Sequence, residues 1–235
     1  MRPTSPLSPA RYAQGMTFDQ YVAYVATPEN LAREGPGGAR RGEWSAFLRD
    51  AYQAARLTDA QAESARWLAA QPGGPAKILM ISEEVSSDCR RDLPMLARLA
   101  DTAGMELRVF TRDGQKFSTT PRPVPGESPN ADLVAQFPNE KDGGVFQSMP
   151  VIAFYTRDLD YLCHYIEYPS IYHKDRVVYG HIRAPRRGET TEQMAARGDR
   201  EFAALQASPF FKLWAAAAVD DWLSALHRRL LLGSA

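Results

Sequence analysis

Cysteine is scarce in this chain: two in 235 residues, Cys89 and Cys163. That excludes a disulfide framework, and a reducing, cytoplasmic setting is the expectation. An excess of charge of one sign is also lacking. The 28 basic residues are balanced by 28 acidic ones, so there is no electrostatic case for nucleic acid or an anionic membrane as partner. Long apolar runs are missing too; the longest, Leu213 to Val219, falls far short of the about 20 residues a membrane span needs. The opening Met1-Arg2-Pro3-Thr4-Ser5-Pro6 carries no apolar stretch of the kind a secretory signal needs. No P-loop, G-x-G-x-x-G or G-x-S-x-G pattern occurs, which removes the usual support for nucleotide enzymes and serine hydrolases. The run Cys163-His164, His173-Lys174-Asp175 and His181 matches neither C-x-x-C nor H-E-x-x-H spacing, so no metal and no other cofactor is expected.

What is present is the composition of an ordinary globular protein, 44% hydrophobic and 24% charged. At roughly 150 residues per domain, the length suggests one domain with extensions. Pro3, Pro6 and Pro9 mark the first fifteen residues as a loose arm. Thr17-Phe18-Asp19-Gln20 and Thr58-Asp59-Ala60-Gln61 are capping boxes, each predicting a helix behind it. Between them, Trp44, Phe47, Leu48, Ala51, Tyr52 and Ala55 keep helical spacing. Lys77 to Ser82 reads as a buried strand, Ser86-Ser87-Asp88 as the start of a helix ending at Gly104, and Met105 to Thr111 as a second, parallel strand. Pro94 falls inside that helix and predicts a kink. Residues 114–147 hold five of the seventeen prolines and read mostly as a long loop, with a helical turn or two near Ala131 to Phe137. Val151–Tyr155 and Tyr161–Ile166 form a hairpin, and two helices, led by Thr190 and by Ser208-Pro209, close the chain.

Several residues carry chemistry. Cys89, in the first turn of its helix, is placed to have its thiolate stabilised by free backbone N–H groups, the helix dipole and Arg90 or Arg91. The alternative is a buried small hydrophobe. Glu83 and Glu84 lie where a strand gives way to a helix; paired carboxylates there suit acid–base work or a cation, but solvated loop charges are the expectation. Tyr161, Tyr165, Tyr168, Tyr172 and Tyr179 are either a partner-binding face or a hairpin face packed under the last helices.

The order strand, proline-bearing helix, strand, long connection, proline-led hairpin, helix resembles the thioredoxin fold over residues 76–170. Cys89 and Pro94 keep the family's spacing of second motif cysteine and helix proline, and Gln147-Ser148-Met149-Pro150-Val151 is similar to the loop with its cis-proline. With its Ile81-Ser82-Glu83-Glu84 lead-in, its Arg112-Asp113 and its extra terminal helices, the chain resembles a bacterial branch of thioredoxin-family proteins of poorly defined function. The resemblance implies an α/β fold, a central mixed sheet flanked by helices. It divides the chain into a helical extension over 1–75, a core over 76–170 with an insertion at 114–147, and a helical extension over 171–235. It also exposes departures. Ser86 stands where the attacking cysteine would be, Val85 replaces the tryptophan, and Met80 replaces the buried acid. A serine hydroxyl stays protonated near neutral pH, so dithiol exchange at this degenerate Ser-x-x-Cys is disfavoured.

Two functions remain. In the first, Cys89 acts alone on a protein thiol, a peptide or a small-molecule thiol, with Ser86 donating to its sulfur and Arg90 or Arg91 supplying positive potential. In the second, the protein is redox-inactive and binds a peptide or small ligand in a groove lined by Met149, Pro150, Arg90, Arg91 and Glu84, with 114–147 as a lid. A low thiol pKa and an exposed sulfur favour the first; a buried sulfur favours the second.

Overall fold

The computed structural model describes residue 3 and residues 5–233. The expectation of a loose arm falls in part on Met1, Arg2 and Thr4, which lie outside the described residues. The arm's remaining part is docked. Ser8 caps a turn of helix, α1 (Pro9–Tyr12), and Tyr12, 2% exposed, donates its hydroxyl to the carbonyls of Glu106 at 2.7 Å and Ile78 at 3.2 Å. An aromatic ring that buries its body and still satisfies its hydroxyl is a strong local anchor. Proline spacing alone does not reveal it.

Both capping boxes form, with side chain and backbone bonded reciprocally, starting α2 (Phe18–Val25) and α5 (Asp59–Ala69). Between them lie α3 (Pro28–Ala32) and α4 (Ser45–Ala54). The strands β1 (Lys77–Ser82) and β2 (Glu106–Thr111) pair in parallel around α6 (Ser87–Ala103). Ser86 caps α6 by accepting from the Cys89 N–H, and Gly104, at φ 67°, ends it in the left-handed conformation that glycine adopts without Cβ strain. Pro94 sits inside α6 and has no N–H to give the Arg90 carbonyl one turn earlier.

In the 114–147 stretch the helical turn expected near Ala131 to Phe137 forms as α7 (Ala131–Val134). Beyond expectation, the stretch also holds a two-stranded ribbon of β3 (Asn139–Lys141) and β4 (Gly144–Phe146). Strand length explains the miss: three-residue strands leave no periodicity to read. The hairpin β5 (Val151–Tyr155) and β6 (Tyr161–Ile166) then completes a four-stranded mixed sheet in the order β2-β1-β5-β6. A π-helical segment, Asp175–Ile182, precedes α8 (Thr191–Ala207) and α9 (Pro209–Leu232). Among the described residues, no single helix is long and apolar enough to cross a membrane. The bent pair α8 and α9, meeting at 64°, passes by length and composition, but Trp214, Ala218, Trp222 and Leu226 of α9 are buried inside the fold.

The pleat sorts the core into two layers. Ile78, Met80, Val109, Ile152 and Phe154 point to one face of the sheet, where α2, α5, α6 and α9 cover them. Leu79, Ile81, Phe110, Val151 and Ala153 point to the other, covered by Leu7 and Tyr12 of the arm and by Leu133, Val134 and Phe137. Alternation with period two, on strands buried on both sides, produces continuous apolar runs such as Ile78-Leu79-Met80-Ile81.

Candidate functional site

The carboxyl ends of β1 and β2 and the start of α6 carry the chemistry read from the sequence. Cys89 is 1% exposed. Its sulfur accepts a 3.5 Å hydrogen bond from the Glu83 N–H and packs in the apolar layer of Phe137, Met149 and Val151. Burial pushes the thiol up to about 11, against smaller lowering contributions from that N–H and from Ser86 and Ser82. Of the two readings left open for Cys89, this environment is that of the buried small hydrophobe, and neither neighbouring arginine is free to offset the burial. Arg91 is spent on Asp88 at 2.5 Å and on Asp92 at 2.7 Å, while Arg90 donates to the Glu84 carbonyl at 2.6 Å and stacks on Trp44 at 3.8 Å. Asp88 adds a further upward push on the thiol.

Cys163 belongs to the opposite layer, on β6 beside Phe154, and both cysteines are free. Burial raises its thiol to about 12. No disulfide joins the two.

Glu83 and Glu84 overturn the expectation of solvated loop charges: each is 1% exposed. Glu83 Oε1 accepts from Arg33 at 2.7 Å and from the N–H groups of Arg112 at 2.8 Å and Asp113 at 2.7 Å. Its Oε2 meets Arg41, which also donates to Glu84 at 2.9 Å and Asp113 at 3.1 Å. Arg112 closes the set with a bond to Asp113 at 2.6 Å. Three arginines thus face three carboxylates, and charges so far from water persist only because they are paired. Glu84 Oε2 alone has no hydrogen-bond partner. The contributors Arg33 and Arg41 come from a glycine-broken stretch after α3, so the cluster was invisible to spacing: its partners lie forty to eighty residues apart.

A second ionic cluster lies across the start of α6. Lys174, from the loop after the hairpin, reaches Asp88 at 2.5 Å and Glu167 at 2.8 Å, and Asp92 is held by Arg91. Burial nevertheless raises Asp92 to about 6, outweighing Arg91. The tyrosine-rich stretch divides. Tyr165 sits on Trp222, and Tyr172 stacks on Trp214 at 3.6 Å and 14°, so both serve packing, while Tyr179 is exposed. His164 is lowered to about 4 by burial and accepts or donates at 2.5 Å with Tyr161. Among the described residues, no group of three His, Cys, Asp or Glu is arranged to hold a metal ion.

The Met149–Pro150 peptide is cis, and Met149 is 6% exposed, sharing its layer with Cys89. Leu133, Val134 and Phe137, from the 114–147 stretch, pack in the same layer. Beside it, both amide atoms of Gln147 are buried and unbonded, a feature no sequence signal announced.

No family model matches the chain, and no curated protein matches it. Among solved structures, it is similar to a protein of unknown function, PA1234, from Pseudomonas aeruginosa, at 15% identity and a TM-score of 0.50, over 94% of this chain and 98% of that one. An HIV epitope scaffold aligns at 13% identity and a TM-score of 0.49, over 94% and 99% of the two chains. The likeness to the Pseudomonas protein bears on the overall fold alone, which in this chain is a mixed four-stranded sheet flanked by helices.

Proposed function

We propose that this chain is a thioredoxin-like recognition protein that performs no thiol chemistry. The observation that carries this reading is the burial of Cys89, 1% exposed, with its thiol pushed up to about 11. Exchange needs a thiolate and access for a second sulfur, and this sulfur offers neither. The thioredoxin-like part of the reading is supported by the element order, by Pro94 five residues after Cys89, and by a cis-proline leading the hairpin. Recognition is supported by Gln147. A buried amide with neither atom bonded costs about 1–3 kcal/mol per group, and a ligand that both donates and accepts, such as an extended peptide, relieves it. The covering segment with Leu133, Val134 and Phe137 then acts as the lid of that groove.

The test is the pH dependence of Cys89 alkylation in a Cys163→Ser background. Slow reaction at neutral pH, with an apparent pKa far above the usual value of about 8.5 and full reaction after denaturation, is expected. Rapid alkylation of the folded protein with a pKa below that value would return the single-thiol mechanism and sink this one.

A further inference from the structure

On the far side of α6 from the lid, α4, α6 and the junction of α8 with α9 enclose a cavity of about 530 Å³. That is within the about 300–1,000 Å³ typical of small-molecule sites. Its walls are largely apolar: Phe47, Ala51, Pro94, Met95, Phe211 and Ala215. The charges on it are unequal. Arg56, Arg90 and Lys212 line it without any carboxylate partner among the described residues, against a single acid, Asp50. Arg91 also lines it, but its charge is consumed by Asp88 and Asp92. Arg90 is the unusual member. It is 7% exposed, donates only to the Glu84 carbonyl and to the face of Trp44, and burial lowers its pKa. Glu84 and Asp88 act on its charge only from beyond contact distance. A buried guanidinium with no carboxylate in contact is costly, and the other buried arginines among the described residues, Arg33, Arg41, Arg91, Arg112 and Arg197, all have one.

We infer that this cavity binds a free anionic amphiphile, its carboxylate or phosphate head on Arg90 with Arg56 and Lys212 at the mouth, and its apolar tail along the alanine and phenylalanine walls. Charge complementarity selects the anion, and wall composition selects the tail. The inference stands apart from the lid-covered groove and does not depend on whether Cys89 is inert.

Calorimetric titration of the full chain with monomeric sodium decanoate, decylamine and decyl maltoside tests it. Decanoate should bind one to one, at least about tenfold more tightly than the amine or the neutral detergent. Arg90→Gln should lower decanoate affinity by about tenfold or more. Because Arg90 is packed, two surface variants accompany it: Ala54→Trp, which fills the mouth and should abolish binding, and Lys212→Glu, which should weaken decanoate and spare the maltoside. Equal binding of all three amphiphiles, decanoate binding that survives Ala54→Trp, or no binding at all overturns the inference. So does binding confined to phosphatidylglycerol vesicles, which would make the face a bilayer contact.

Discussion

At the scale of single residues, the environment rather than the residue type decides what a group can do. Asp92 shows it: burial raises its carboxyl to about 6 from an ordinary 3.8, although Arg91 holds it. Between those values the folded state keeps a proton that the unfolded chain has released. Asp92 therefore contributes stability that falls as pH rises through that window. Urea unfolding of the protein and of Asp92→Asn should diverge accordingly. From pH 4 to pH 7 the wild type loses on the order of 2 kcal/mol relative to the variant, whatever fixed cost the amide brings. A pH-independent difference would show the carboxylate to be ionised throughout. Sequence reading reached Cys89, Ser86 and the cis-proline, because spacing encodes them. It could not reach the protonation of Cys89, because that depends on Phe137 and Met149 closing over the sulfur, contacts made across about fifty residues of chain.

Elements are tied together here by buried charge as well as by apolar packing. Arg41 ties the stretch after α3 to the ends of β1 and β2 through Glu83, Glu84 and Asp113. Arg41→Met leaves three buried carboxylates short of a partner and should cost about 3–5 kcal/mol in urea unfolding. A loss under about 1 kcal/mol would mean that water replaces the guanidinium easily. The larger elements were legible because their signals are local. Capping boxes gave α2 and α5, Gly104 gave the end of α6, and the run around Ile78 gave β1. The ribbon β3–β4 and the docked arm were not, since three-residue strands and a Tyr12 bonded to distant carbonyls have no local signature.

For the whole molecule, acid groups buried in their neutral form set the alkaline limit. Burial raises Cys89 to about 11, Cys163 and Tyr172 to about 12, and Tyr12, Tyr155 and Tyr165 higher still, and it lifts Tyr21 well above its ordinary value. The unfolded chain ionises these groups from their ordinary values of 9.0 and 10.0 upward, so their stabilisation is complete below about pH 9 and is lost as pH rises. The urea midpoint should drop steeply between pH 9 and pH 11, and a flat profile would contradict the burial of the phenols. The sheet order has a further consequence, for synthesis. β1 is a central strand whose second partner, β5, follows it only after the whole of α6, β2 and the 114–147 stretch has been made. At about 5–20 residues per second, the doubly apolar strand Ile78-Leu79-Met80-Ile81 waits on the ribosome for seconds with one edge unpaired. Until Val151 to Tyr155 emerges to close the sheet, that edge is open to pairing with another chain.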